Sequence, residues 1–403
     1  MKQFKFSLAT LLITSFLLSC VNDIPASAQN SVEKGRPSAD YKPAFAGQTR
    51  INAVKTKTPI TATIINKKLE NPWGIAVMPD GRFLITQKGG TMVILQANGT
   101  LAKTITGLPK VDDSGQGGLL DVTLAPDFAK SRMVYWAYSE PQSKGVLLAI
   151  AKGKLAASET AIENQTIIYR ATPAHTGKLQ YGSRIVFDKS GNLFVSTGER
   201  SDKEIRMQAQ QLNSALGKIL HLTPAGKPVA NGPFAKTANA RPEVYAYGLR
   251  NPDGLAINPT TGELWEAEFG PKGGDEINII KPGKNYGWPI ITYGVEYSGK
   301  KVGDGITQKD GMTQPIYYWN PSISPGTMAF YNSSVIAEWK GNLFIGALGG
   351  SHISRLTISN NKITGEERLL ADKNERFRDI AQGKDGALYA VTDGGNLYKI
   401  AKK

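Results

Sequence analysis

The feature that most constrains this chain is a repeated unit: an apolar strand, a turn rich in Pro, Asp, Asn and Gly, then a second apolar strand. Trp73-Gly74-Ile75-Ala76-Val77 turns at Pro79-Asp80-Gly81 into Phe83-Leu84-Ile85. Leu119 to Leu124 turns at Ala125-Pro126-Asp127 into Met133 to Tyr138, and Arg184 to Phe187 turns at Ser190-Gly191-Asn192 into Leu193-Phe194-Val195. Leu255-Ala256-Ile257 turns at Thr261-Gly262 into Leu264-Trp265. Met328-Ala329-Phe330 is followed by Gly341-Asn342 and Leu343-Phe344-Ile345, and Asp379-Ile380-Ala381 turns at Asp385-Gly386 into Leu388-Tyr389-Ala390. The six copies stand roughly 45 to 75 residues apart, a period that marks a β-propeller. One such sheet cannot bury both of its faces, whereas a closed ring of sheets can, and it leaves only short edges. The reading is therefore all-β, a six-bladed β-propeller over residues 51–403. Two β-sandwiches are the rival, and they leave the repeated turn unexplained. Helical signal is thin, with Ile205 to Leu216 its best stretch.

Composition narrows the partners. At 403 residues and 40% hydrophobic, the chain can build a large core, and 20% charged residues argue against wholesale disorder. The net charge of +14 suits a membrane surface, a nucleic acid or a small polyanion. The basic residues are scattered, with no Lys/Arg block interleaved with aromatics and no zinc-finger pattern, so nucleic acid is set aside.

The N-terminus reads as an export signal over residues 1–20. Lys2 and Lys5 precede an apolar run, Phe6 to Leu18, that is short for a bilayer span. Two cleavage readings compete. Leu17-Leu18-Ser19-Cys20 resembles a lipobox that would carry a lipid anchor on Cys20, the chain's single cysteine, and this is the preferred reading. Ala26-Ser27-Ala28 fits a conventional site that would release a soluble protein near Gln29. Either way the product is exported, periplasmic or membrane-anchored, with no disulfide. Residues 21–50, polar and rich in Ser, Ala, Gly and Pro, read as a flexible tether.

Loops at one end of a propeller converge on its axis, so distant residues can share a site. Four loops carry unusual chemistry: Gly115-Gln116-Gly117-Gly118, Gln180-Tyr181-Gly182-Ser183-Arg184, the stretch from Tyr247 to Pro289, and Arg376-Phe377-Arg378-Asp379. The third crowds Arg250-Asn251-Pro252, Gly270-Pro271 and Asp275-Glu276 around short strands, as a loop for an anionic ligand and a hard metal would; a set of solvated turns is the plainer reading. Arg376 and Arg378 alternate in an extended segment and so share a face. Other motifs are decoys. Asp113-Ser114-Gly115 lacks the flanking glycines and triad of a serine protease. Three histidines, 175, 221 and 352, are too few for a multi-His metal centre.

Together GQGGLLDVTLAPDF, YGLRNPDG, GPKGGDEIN with KNYGWP, and RFRD resemble the soluble quinoprotein sugar dehydrogenases, the glucose/sorbosone dehydrogenase family, over about Ile64 to Ile400. The resemblance implies a six-bladed propeller holding pyrroloquinoline quinone (PQQ) and Ca²⁺ at its axis. It implies oxidation of an aldose C1 hydroxyl to a lactone, with electrons passed to an external acceptor. By the same resemblance, Arg376 and Arg378 pair with cofactor carboxylates, Arg250 and Asn251 contact the quinone region, and Gln116 contacts the cofactor from a Gly-rich loop. Gly117 and Gly118 would let the backbone approach a flat ring. The carbonyls of Gly270 and Pro271 match the cofactor Ca²⁺ site, and Glu276 with the Tyr286 carbonyl a second, structural one, with Asp275 a weaker candidate.

Two positions depart from the family pattern. Its general base is a His in H-x-G-x-R, and Gln180 stands there. A neutral amide can hydrogen-bond a sugar hydroxyl but cannot take its proton. Glu199 matches the acidic residue that orients that His and becomes the candidate base, with His175 or an ordered water as substitutes. Gly349 stands where tight PQQ binders often carry a Lys, with His352 nearby as a polar replacement. The expectation is a PQQ- and Ca²⁺-dependent sugar dehydrogenase acting through Gln180, Glu199 and Arg250. The alternatives are a non-catalytic propeller that binds carbohydrate or a polyanion, and a lactone hydrolase of similar shape.

Overall fold

The computed structural model describes residues 30–403 and Met1. The export signal and both cleavage readings fall within residues 2–29 and lie outside the described residues.

The described residues form six four-stranded antiparallel sheets. Their innermost strands are Pro72–Val77, Leu119–Leu124, Gly182–Phe187, Pro252–Ile257, Pro325–Phe330 and Phe377–Gln382, and they number blades 1 to 6. Each innermost strand packs against the next, and the sixth against the first, which closes the ring. Blades 1 to 5 are built in simple outward order from consecutive strands. Blade 6 takes three strands from the C-terminal end and its outermost from Ile60–Asn66, with Ile60 opposite Lys402.

The repeated turn owes its glycine to backbone geometry. Gly81, Gly191, Gly262, Gly341 and Gly386 sit at φ of 75 to 89°, a region that L side chains rarely enter. The second copy lacks this glycine, and there the connection lengthens into one helical turn, Phe128–Ser131, that ends on left-handed Arg132 (φ 55°). The helical expectation at Ile205 to Leu216 shrinks to a single 3-10 turn, Arg206–Gln210.

All six innermost strands shift register near their first residues, between Pro72 and Ile75 in blade 1 and at the matching place in the other five. Such bulges twist a strand and re-aim its side chains. One of those side chains plugs the axis. Arg184 on blade 3 lies 3.0 Å from Asp121 on blade 2 and 2.9 Å from Asp379 on blade 6. It also donates to the carbonyls of Asp253 on blade 4 (2.6 Å) and Gly326 on blade 5 (2.7 Å), and stacks 4.4 Å from the ring of Trp73 on blade 1. One buried guanidinium thus touches all five other blades.

The stretch expected to be a tether behaves differently from residue 30 onward. Residues 30–53 form a strap packed on blades 4 and 5. Ala53 bridges Glu366 on the outermost strand of blade 5, and Gln48 is wholly buried between the backbone of Pro315 and that of Tyr318. Polar side chains here satisfy backbone groups rather than water, which composition does not show.

Candidate functional site

The candidate site lies above the plug, where the innermost strands begin and the second strands end. Blade 3 supplies its centre. Glu199 follows the second strand, Leu193–Thr197, and is wholly buried, with neither carboxylate oxygen hydrogen-bonded by a protein group. Burial pushes its pKa up to about 7, against the pull of Arg250 and Arg206. Its backbone N–H donates to the Arg250 carbonyl at 2.9 Å, which fixes the two residues side by side. Backbone strain gathers around it: Gln180, Ser183, Arg200 and Ser201 have φ of 54, 104, 74 and 74°.

Gln180 is buried beside the loop that carries Gln116. Its N–H donates to Gln116 Oε1 at 2.6 Å, while its own Oε1, like Ser183 Oγ, has no protein partner. Gln116 thereby spends its carbonyl oxygen on the loop. The glycines beside it serve packing first. A Cβ on Gly117 would lie 2.3 Å from the Asp112 carbonyl, and one on Gly118 2.6 Å from that of Lys88. His175 does not take the place of the missing imidazole: it ends the outermost strand of blade 2 and pairs with Asp202 at 2.6 Å.

Blade 4 supplies the cationic wall. Arg250 Nη1 donates to the carbonyls of Phe269 (2.9 Å) and Gly270 (2.6 Å), leaving Nε unpartnered. Trp288 is buried with the guanidinium groups of Arg250 and Arg206 at 5.1 and 5.3 Å from its ring, and its Nε1 is unpartnered. Asn251 is committed within the fold: it accepts from Gly182 N–H and donates to Asp253.

Expected metal-binding groups fall into two classes. Asp275 accepts three backbone N–H groups, from Gly270, Ile323 and Ser324, at 2.6–2.8 Å, and so clamps a loop. The Pro271 carbonyl accepts from Ser322 Oγ at 3.2 Å. Glu276, by contrast, faces Glu268 directly across the ladder; burial and nearby Glu268 push the Glu276 carboxyl up, and burial with nearby Asp275 pushes Glu268 up to about 7. A neighbouring Glu266 oxygen is unpartnered. A cavity of about 10 Å³, room for one water or ion, lies among Glu268, Gly270, Glu276, Tyr286 and Trp288. Buried carboxylates facing each other over such a gap fit a divalent cation. Among the described residues no three His, Cys, Asp or Glu side chains converge as a metal centre, so that cation would draw its other oxygens from carbonyls such as that of Tyr286.

On blade 6, Arg376 and Arg378 do share a face. Both bind Asp393, at 2.8 and 2.9 Å, and hold its carboxyl below the usual range against the effect of burial. Sequence reasoning missed a further cation, Lys88. It follows the second strand of blade 1, in the place that Asp393 holds on blade 6, and its Nζ donates to Gly115 O at 2.9 Å. Burial and nearby Arg378 push its pKa down. Aligning the blades position by position would have found it. No cation stands at Gly349, and His352 does not replace one: it is buried, bonded to Gly350 O, and pushed down to about 4, hence neutral.

The chain matches known proteins over this whole architecture. The sequence model for "Glucose / Sorbosone dehydrogenase" spans residues 69–399, which leaves the strap outside it. Aldose sugar dehydrogenase YliI of Escherichia coli (strain K12) is 40% identical over 85% of this chain and 93% of its own length. The crystal structure of the soluble aldose sugar dehydrogenase from Escherichia coli, in the apo-form, superposes with a TM-score of 0.82 at 39% identity, covering 85% of this chain and 100% of that one. The PQQ-bound aldose sugar dehydrogenase from Streptomyces coelicolor gives a TM-score of 0.70 at 26% identity over 86% and 99%. The chain is a member of the glucose/sorbosone dehydrogenase family, a six-bladed propeller of the soluble quinoprotein sugar dehydrogenase type.

Proposed function

We propose that this chain is an exported, PQQ- and Ca²⁺-dependent dehydrogenase that oxidises the C1 hydroxyl of an aldose to the lactone and passes the electrons to an external acceptor. The observation that carries the reading is Glu199, a wholly buried carboxylate with both oxygens unpartnered, beside Arg250. Such a group costs stability in place and is the form of a general base held ready for a substrate proton.

The cationic residues fit the cofactor's three carboxylates. Arg376, Arg378 and Lys88 would hold it from blades 6 and 1, with Glu276 and carbonyl oxygens binding the cations. PQQ, when bound, supplies the acceptor for the two electrons leaving C1. Glu199 takes the proton of the C1 hydroxyl, near neutral pH where its pKa of about 7 balances availability against strength. Gln180 accepts or donates one hydrogen bond to the sugar and orients it. Arg250 and Arg206 partly offset the burial that raises Glu199, and Arg250 stabilises negative charge that develops nearby.

The test is reconstitution of the purified apoprotein with PQQ and Ca²⁺, an aldose panel and a redox dye. Sugar-dependent dye reduction supports the reading. Cofactor binding without turnover for any sugar overturns the catalytic part, and absence of PQQ binding overturns the whole.

A further inference from the structure

The strap of residues 30–53 lies ahead of residues 69–399, the part that the family's sequence model matches, yet it is built onto the back of the candidate site. Asn320 is where the two meet. Its side chain accepts from Ser38 N–H at 2.7 Å and donates to Ala39 O at 2.9 Å, pairing with the strap's backbone. Its carbonyl accepts from Arg50 Nη2 at 2.8 Å, and the same nitrogen donates to Gly35 O at 2.6 Å. Arg368 on blade 5 anchors the strap's start through Glu33 at 2.6 Å.

On its other side, Asn320 lies against the loop Gly270 to Asp275. A Cβ on Gly273 would be 2.7 Å from Asn320 Oδ1 and 3.2 Å from the Ser38 Cβ. Ser322, two residues on, accepts from Gly273 N–H at 2.9 Å and donates to Pro271 O. Gly274 N–H is held by Trp319 O at 2.9 Å. The same loop presents the Gly270 carbonyl to Arg250. The strap is thus hydrogen-bonded to Asn320, and Ser322, two residues along the chain, is hydrogen-bonded to the loop that presents Gly270 to Arg250.

We propose that the strap is a positioning element of the site, with Arg50 and Asn320 its key residues. It presses the glycine-rich loop into the one conformation that aims the Gly270 carbonyl inward. A loop with Gly270, Gly273 and Gly274 has high conformational entropy when free, so an external clamp is what fixes it. The inference goes beyond the catalytic reading, because it concerns the order of the loop in apoprotein without sugar or cofactor.

The test is amide hydrogen exchange on full-length apoprotein carrying Arg50→Ala. Exchange at Gly273 and Gly274 is expected to speed up by about tenfold or more, with the core amides of Leu84 and Val134 on blades 1 and 2 unchanged, as local opening requires. Arg50→Lys, which keeps one donor, should recover part of the protection. Unchanged exchange at Gly273 and Gly274 overturns the proposal, as does an equal rise across blades 1 and 2, which would make the strap a general stabiliser. If Arg50→Ala does not fold, Asn320→Asp, which loses only the donor to Ala39, is read in the same way.

Discussion

Arg184 and Asp379 lie 2.9 Å apart although they belong to blades 3 and 6, on opposite sides of the ring. Asp121 shares the same guanidinium nitrogen. The three charges are buried where the innermost strands meet, so each is satisfied only while the ring is closed. Burial and nearby Asp379 push the Asp121 carboxyl up to about 6 in spite of Arg184.

Removing the guanidinium strands buried carboxylates. Arg184→Met is expected to cost about 3–5 kcal/mol, the range for breaking one side of a buried pair. Urea denaturation of the apoprotein measures it, and a loss below about 1 kcal/mol would mean that the aspartates simply take up protons.

Glu199→Gln keeps the shape and removes the base. Turnover should fall by about 10²–10⁴ with sugar affinity little changed. The wild-type rate should rise with pH through about 7 and then level, because Glu199 works ionised and its pKa is raised to about that value. A flat profile between pH 5 and 9, or retained activity in the variant, rules Glu199 out.

Cofactor affinity should follow the cations. Lys88→Met is expected to weaken PQQ binding by about tenfold or more, the loss of one charge-assisted hydrogen bond. Gly349→Lys should strengthen it, since a Cβ there meets the Ser324 hydroxyl at 2.8 Å, a side-chain oxygen that can rotate away, and the Ile323 carbonyl only at 3.4 Å. Fluorescence titration of apoprotein with PQQ reads both, and a Lys88→Met protein with wild-type affinity would remove Lys88 from the site.

Calcium should stabilise the apoprotein through Glu276. Raising Ca²⁺ to about 100 times its dissociation constant adds about 2.7 kcal/mol by mass action. The rise in Tm should be larger at pH 8 than at pH 5, because the raised carboxyls of Glu268 and Glu276 must lose protons to bind it. Glu276→Gln should abolish the rise, and a calcium shift that survives this change places the ion elsewhere.

The repeat was legible because its turn needs a glycine at positive φ, a demand written directly into the residues at Gly81 or Gly386. Gln180 and Glu199 could be placed because they sit in loops of fixed register beside those strands. Arg184 escaped as a hub because its partners Asp121 and Asp379 lie on other blades, and no local pattern links them. Lys88 sits in an ordinary-looking Gln-Lys-Gly-Gly turn. Asn251 and Asp275 read as ligand-facing because they are polar and clustered, whereas the hydrogen bonds they make are to the protein's own groups: Gly182 N–H and the Asp253 carboxyl for Asn251, three backbone N–H groups for Asp275. The strap was mistaken for a tether because hydrophobicity is a poor guide to a segment held by hydrogen bonds, from its own Gln48 to Pro315 and from its backbone to Asn320.

The outermost strand of blade 6, Ile60–Asn66, pairs with Leu397–Lys402. During synthesis the first of these emerges more than 300 residues before its partner. It must wait, unpaired and half-apolar, through the making of five blades. The contact that seals the ring is thus the one of longest sequence separation, where loop closure is slowest. A chain stopped a few residues short would lose the seal of the whole ring and not merely the edge of its last sheet.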